Sequence, residues 1–241
     1  MPFPFSIVIP TYNEAAGIGK LLQALNAVFT QNGLDGEIIV VDDNSPDGTG
    51  DVVEQLAREL PVRCLHRSGK LGLSSAVIEG WKIARPESVA LGAMDADFSH
   101  DVNALPKMVA ALQTQEYGLA VGSRYVAGGG IANWPARRII TSKVACWLAR
   151  PLTSVRDVTS GYFLVRREAL DGVELDPIGF KIGLEVIAKA RYGRAVEIPY
   201  VFTDRVAGQS KLNEREIFNY IKQLTRLYGQ WLSPRAKERK V

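Results

Sequence analysis

Two periodicities alternate along the first half of this chain, and that alternation constrains its fold more than any other feature. Short apolar runs appear at 6–10 (SIVIP), 37–43 (EIIVVDD), 62–66 (VRCLH), 88–95 (SVALGAMD) and 117–125 (YGLAVGSRY). Between them lie stretches whose apolar residues recur at helical spacing, such as Ile18, Leu21, Leu22, Leu25 and Val28 within 15–29, with further helices expected over 51–60, 73–84 and 103–112. Strand, helix and short loop in repetition predict an α/β fold: an open, mainly parallel central sheet with helices on both faces. Strands covered on both faces read as unbroken apolar runs, as these do.

Past the glycines at 128–130, read as a flexible break, the pattern loosens. A helix is expected over 137–152, a strand at 162–167 and helices within 168–175 and 179–193. A strand at 195–205 follows, with Pro199 marking an edge or a bulge. The last helix, 216–232, places Ile217, Ile221, Leu224, Leu227, Tyr228 and Trp231 on one face, which suits either core packing or attachment to a membrane surface.

Charge and cysteine usage exclude several function classes. A net charge of +3 over 241 residues is too small to argue for nucleic acid. The basic residues are clustered, however. Arg137, Arg138, Lys143, Arg150 and Arg156 occur in 130–156 without an acid, and Arg235, Lys237, Arg239 and Lys240 crowd the tail. Such runs are solvated faces, or they meet an anionic surface or a phosphate. Cys64 and Cys146 show no paired spacing and no Cys/His ligand pattern, so they read as reduced core thiols. No signal-peptide pattern opens the chain, and no apolar run approaches the roughly 18 residues needed to span a bilayer. The chain is therefore expected to be soluble or peripheral, unless a membrane segment lies beyond it.

The chemistry is concentrated where strands end. Ligands of open α/β sheets bind beyond the carboxyl ends of the strands. Here one run ends in Thr11-Tyr12-Asn13-Glu14, another in Asp42 and Asp43, and a third in Asp95-Ala96-Asp97 (LGAMDADFSHD). If the strands are parallel, these groups share one rim. Asp95 and Asp97, two residues apart, point the same way and offer hard oxygen ligands to Mg²⁺ or Mn²⁺. Magnesium takes few carboxylates and completes its shell with water and substrate phosphates, so the pair implies a phosphate-bearing substrate. Asp101 is expected only to cap the next helix. His66 and His100 are expected on the surface or in support of other residues. SPDGT carries Ser45 where a haloacid-type phosphatase has its nucleophilic Asp, and PTYNEAAGIG is no dinucleotide fingerprint. The helix start KLGLSSA (70–76) either meets an anion or is simply capped. Tyr125, Trp134 and Tyr162 suit the core or a sugar platform. Asp157, Ser160 and Gly161 suit a turn before a strand or an acceptor-side segment.

Together PTYNE, VVDDNSPDGT, KLGL, MDADFSH, GSRY, RRIITS and DRVAGQSKL resemble the family 2 glycosyltransferases of the GT-A fold, and within them the dolichol-phosphate (polyprenol-phosphate) mannose synthases. The likeness runs from about Ser6 to Lys211, and DRVAGQSKL most favours the mannose enzymes. It implies one GT-A domain over 1–232, with a nucleotide-binding half to about residue 125, an acceptor-side half after it and a basic tail at 233–241. The implied activity is metal-dependent transfer of mannose, with inversion, from GDP-mannose to a dolichyl or polyprenyl phosphate. It implies a peripheral protein at the cytosolic face of a membrane, with small membrane subunits left open. A related glucosyl or aminosugar transferase and a non-catalytic nucleotide-sugar-binding subunit are the alternatives.

By the same resemblance Pro10, Tyr12 and Glu14 belong to the nucleotide pocket, and Asp43, with Val41 behind it, reads the guanine or holds the ribose. Asp95, Ala96 and Asp97 form the metal and sugar-nucleotide motif. Arg124, Arg205 and Lys211 embrace phosphates. Arg124, Arg137, Arg138 and Ser142 take the acceptor phosphate, with Asp97 and Arg124 as the catalytic pair. Ser99 stands where many relatives carry a metal-binding Gln and is a shorter ligand. Val144, Trp147 and Leu148 would face the prenyl chain or the membrane. A phosphate monoester, with a second pKa of about 6, is already a nucleophile near neutral pH, so the reaction needs charge neutralised rather than a general base.

Overall fold

The computed structural model of the chain describes residues 3–203 and 214–232. Its elements are β1 (Phe5–Thr11), α1 (Ala15–Asn32), β2 (Gly36–Asp42), α2 (Thr49–Leu56), β3 (Val62–His66), α3 (Leu73–Ile83), β4 (Ala90–Ala93), α4 (Leu105–Gln113), β5 (Leu119–Ser123), β6 (Gly130–Ala132), α5 (Ala136–Ala149), β7 (Phe163–Arg166), α6 (Ile182–Lys189), β8 (Ala195–Pro199), β9 (Val201–Thr203) and α7 (Glu214–Leu232). Seven strands form one sheet in the order β3-β2-β1-β4-β7-β5-β8, and β6 pairs with β9 in a small second sheet.

Period-2 alternation divides the core into two layers. Phe5, Ile7 and Ile9 of β1 pack with the apolar stripes of α1 and α4, whereas Val8 faces Val77 and Trp81 of α3 and Leu184 of α6. Gly80 of α3 lies so close to β1 that an added Cβ would come within 2.6 Å of Val8 Cγ1, so only glycine allows that helix to seat. β1 is parallel to β2 on one side and to β4 on the other. The chain thus leaves β1 in both directions, and the resulting crevice at the ends of β1 and β4 is the expected place for a ligand.

One strand departs from the parallel reading. β7 lies between β4 and β5 and is antiparallel to both. β5 ends at the carboxyl rim, and β7 begins opposite Ala93 and Val121 at that same rim, so no crossover restores a parallel direction. The strand expected at 195–205 is broken at Tyr200, where Pro199 ends the edge strand β8 and β9 turns to pair with β6. The glycine run is a tight turn rather than a slack break. Gly128 has φ +86°, and a Cβ on Gly129 would sit 2.6 Å from the Ser123 carbonyl.

The apolar face expected on α7 is divided. Tyr220, Leu224 and Leu227 are buried, whereas Ile217, Ile221 and Trp231 are exposed. The helix is anchored by polar groups that the apolar pattern does not show. Gln223 is buried and donates to Glu185 Oε2 at 3.0 Å, Tyr220 donates to the Ala145 carbonyl at 2.6 Å, and Tyr228 donates to the Leu148 carbonyl at 2.6 Å. The fully buried Glu185 carboxylate also meets Lys189 Nζ at 2.6 Å and Arg226 Nη2 at 3.2 Å.

Burial alone would raise the Glu185 pKa, but hydrogen bonds from Lys189, Gln223 and the Asp176 amide outweigh it and hold the carboxyl below its ordinary 4.5. A depressed carboxyl stabilises the fold above its unfolded pKa, and that contribution is lost as pH falls through the folded value. Glu185→Ala is expected to remove about 2 kcal/mol, since it takes the shared carboxylate from the part-buried Lys189 and Arg226 and from the buried Gln223. Denaturant melts of parent and variant are expected to differ at pH 7 and to converge well below pH 4.5. A constant difference across that range would refute the assignment.

Candidate active site

The registers confirm the shared rim. Thr11 pairs with Asp42, and Val8 with Ala93, so the segments after β1, β2 and β4 emerge side by side. Each contains one non-glycine residue in the left-handed region: Asn13 (φ 60°), Asn44 (57°) and Phe98 (59°). Asparagine adopts this conformation readily, whereas for Phe98 it costs on the order of 1 kcal/mol. The turn at Phe98 lets the Ser99 amide donate to Asp97 Oδ1 at 3.1 Å.

The rim acids have different roles. Asp42 is satisfied internally, accepting from Thr11 Oγ1 and from the Ser45 amide and hydroxyl. Asp47 of the SPDGT segment ties two helix starts together through the Ala15 and Thr49 amides. Asp43 pairs with the buried Arg67 at 3.0 Å and accepts from the Gly72 amide at 3.0 Å. The anion at the KLGLSSA helix start is thus an internal carboxylate. Asp101 caps the next turn by accepting from the Asn103 amide, as expected.

Asp95 and Asp97 instead face a cavity of about 340 Å³. Its polar lining includes Asp95, Asp97, Arg124, Arg138, Ser142 and Lys181. Its apolar lining includes Pro10 and Phe180, with Val144 and Leu148 from α5 and Ile217 and Ile221 from α7. Tyr12, Glu14, Val41 and Asp43 lie on the β1 and β2 ends beside it, and Ala96 is buried behind the acid pair. The two adjacent arginines part company. Arg138 lines the cavity with its guanidinium 3.8 Å from the Trp134 ring centroid, while Arg137 is exposed and does not line it. Arg205 and Lys211 fall outside the described residues, as does the basic tail.

His100 takes the supporting role that the sequence left open, and other residues beyond the expected set join it. His100 is buried among Tyr162, Tyr200 and Phe202, with Nε2 3.2 Å from Asp95 Oδ2 and Nδ1 2.8 Å from Tyr200 Oη. An ionised carboxylate only accepts, so Nε2 donates to Asp95, and Nδ1 shares a hydrogen bond with the Tyr200 hydroxyl. Burial keeps Tyr200 a phenol by raising its pKa. Gly161 leaves room for Asp95, since a Cβ there would come within 3.2 Å of Oδ1. Asp157 is fully buried and grips Arg124 through Nε at 2.7 Å, Nη2 at 2.6 Å and the backbone amide at 2.9 Å. Burial opposes the Arg124 charge, but the Asp157 hydrogen bonds outweigh it and hold the guanidinium above its ordinary pKa. Thr159 joins the two sides of the site. Its hydroxyl accepts from Arg124 Nη2 at 2.7 Å and lies 3.1 Å from Ser142 Oγ. Tyr162 is core, whereas Trp134 is part of the cavity wall.

The acid pair fits a divalent cation: two carboxylates, two residues apart, open onto a cavity whose far side is cationic. Ser99 Oγ is buried without a hydrogen-bond partner, and the Ser99 amide donates to Asp97. Elsewhere the fold brings Glu54, Cys64 and His66 together, although sequence spacing gives no Cys/His pattern. His66 is exposed and pairs with Glu54 at 3.1 Å, and burial, with the charges of Glu54 and Asp42, pushes the Cys64 thiol up to about 12.

The sequence model of Glycosyl transferase family 2 matches residues 6–173. The chain is 40% identical over 92% of its length to a dolichol-phosphate mannosyltransferase of Pyrococcus furiosus, and it spans 63% of that relative. It is 36% identical over 95% of its length to a dolichol-phosphate mannosyltransferase of Saccharomyces cerevisiae, spanning 88% of it. The structure resembles glucosyl-3-phosphoglycerate synthase from Mycobacterium tuberculosis, solved with Mn²⁺ and uridine diphosphate, with a TM-score of 0.65, 20% identity and coverage of 93% of this chain and 78% of that one. At that identity the likeness concerns the fold, and it agrees with the GT-A reading.

Proposed function

The chain belongs to glycosyl transferase family 2, and from that premise we propose that it is a metal-dependent, inverting mannosyltransferase that carries mannose from GDP-mannose to a polyprenyl phosphate. One observation carries the reading: a single cavity joins the acid pair, a cluster of cations and an apolar lining from two helices. Those three parts match a sugar nucleotide with its metal, an acceptor phosphate and a prenyl chain. The names of the relatives mention mannose and dolichol phosphate, which fits the sugar and the acceptor of this reading.

In this mechanism Tyr12, Glu14, Val41 and Asp43 hold the nucleoside at the β1 and β2 ends. Arg67 and the Gly72 amide fix the Asp43 carboxylate for that task. Asp95 and Asp97 hold Mg²⁺ or Mn²⁺, the first oriented by His100 and the second by the Ser99 amide. When bound, the cation neutralises charge on the leaving diphosphate. Arg124, Arg138 and Ser142 hold the acceptor phosphate, whose oxygen attacks the anomeric carbon in line as the bond to the diphosphate breaks. The phosphate enters ionised, so no side chain needs to remove a proton. Calorimetry is expected to show binding of GDP-mannose well above that of UDP-glucose, and NMR of the product is expected to show the β anomer. Preference for UDP-glucose would favour the related glucosyl enzymes, and an α product would exclude single displacement.

The outer faces of α5 and α7 support membrane contact. Ile140, Trp147 and Phe218 are 61%, 69% and 67% exposed, large apolar side chains of the kind that enter a membrane interface. Among the described residues no helix is long and apolar enough to cross a membrane. Flotation with anionic liposomes is expected to carry the full chain and to carry less of a chain lacking residues 213–241. Equal flotation of both would remove α7 and the tail from this role.

A further inference from the structure

Lys181 immediately precedes α6 and lines the cavity. Its ammonium donates to the Thr159 carbonyl at 3.3 Å and lies 4.5 Å from the Phe180 ring centroid. Among the described residues no carboxylate approaches it within ion-pair distance. Its charged neighbours are Arg124, which repels it, and Asp95 and Asp157, which attract it less strongly, Asp157 being already committed to Arg124. Desolvation first, and Arg124 second, push Lys181 down to about 8 against the pull of those two acids. A desolvated ammonium without a counter-ion is unfavourable unless a ligand supplies the anion.

The position of Lys181 identifies which anion. Thr159 is the common partner: its carbonyl takes Lys181, and its hydroxyl takes Arg124 and touches Ser142. Lys181 therefore belongs with the α5 side of the site, and Val144 and Leu148 of that helix line the same cavity. We propose that Lys181 directly binds the phosphate of the lipid acceptor, completing with Arg124 and Ser142 a cradle for a phosphate monoester dianion. The assignment rests on the mannosyltransferase reading above. It also gives Gln223 a second function, since Gln223 Nε2 donates to the Lys181 carbonyl at 3.3 Å and links α7 to the cradle.

The test uses the full chain, GDP-mannose and a short-chain prenyl phosphate. Lys181→Gln is expected to raise the acceptor KM about 10- to 100-fold, the usual weight of one charge-assisted hydrogen bond, while calorimetric affinity for GDP-mannose stays within twofold. Lys181→Arg is expected to restore the acceptor KM to within a few fold and to move its alkaline rise to higher pH, because arginine does not lose its proton there. A purely structural role would shift donor and acceptor affinities together and would leave the alkaline limb in place. An unchanged acceptor KM in Lys181→Gln, a loss of donor affinity instead, or failure of arginine to rescue would each overturn the proposal. If the parent chain transfers no mannose from GDP-mannose to the prenyl phosphate, the underlying reading fails rather than this residue's assignment.

Discussion

Asp97→Asn is expected to lower the rate of mannosyl transfer by at least about a thousandfold, roughly 4 kcal/mol of transition-state stabilisation. The change keeps the shape of the side chain and an oxygen for the Ser99 amide, so the loop after β4 retains its turn. What it removes is one of the two negative charges that open onto the cavity. The donor's diphosphate leaves with charge that these residues cannot themselves neutralise, so weaker metal binding and slower transfer should appear together. Steady-state transfer and Mn²⁺ binding by electron paramagnetic resonance check both, with a thermal melt to confirm folding. A folded variant with more than a tenth of the parent's rate would place the metal elsewhere.

Asp157→Ala is expected to have the largest effect on stability, about 4 kcal/mol, or a fall in Tm on the order of 10 °C. The carboxylate is fully buried and makes three hydrogen bonds to Arg124, so its removal leaves a buried guanidinium uncompensated. The double variant Arg124→Met, Asp157→Leu removes both charges and is expected to regain most of that stability while remaining inactive, since the cavity has lost a phosphate ligand. Melts and transfer rates of the two variants separate the structural part of the pair from its catalytic part. A Tm within 2 °C or so of the parent for Asp157→Ala would show that water already satisfies the guanidinium.

What the sequence made legible is what local pattern encodes. Parallel strands read as apolar runs, and their polar ends could be placed on one rim before any register was known. Asp95 and Asp97 could be paired because strand geometry fixes their spacing, and Asp101 could be set aside as a cap. Partnerships over long sequence separations could not be read this way. Nothing in GSRY announces that Arg124 is held by Asp157, and nothing in GFKIG shows that Lys181 lines the cavity with no ion pair among the described residues. His100 was separable from a surface histidine only once Tyr162, Tyr200 and Phe202 were seen to enclose it. The face of α7 could not be divided from sequence because apolar spacing cannot tell Leu224, which packs inward, from Ile221, which lines the cavity, and it passes over a buried Gln223. The direction of β7 depends on which rim the chain occupies when the strand begins, and composition does not carry that information.

If one cavity holds the sugar nucleotide, its metal and a lipid phosphate together, a transfer assay with GDP-mannose, a polyprenyl phosphate in detergent, and Mg²⁺ or Mn²⁺ will give a polyprenyl-phosphate mannose product. That product is expected to disappear with chelator and not to be replaced by a glucosyl product when UDP-glucose is supplied. Transfer that persists without any divalent ion, or that runs equally well from UDP-glucose, would rule this arrangement out.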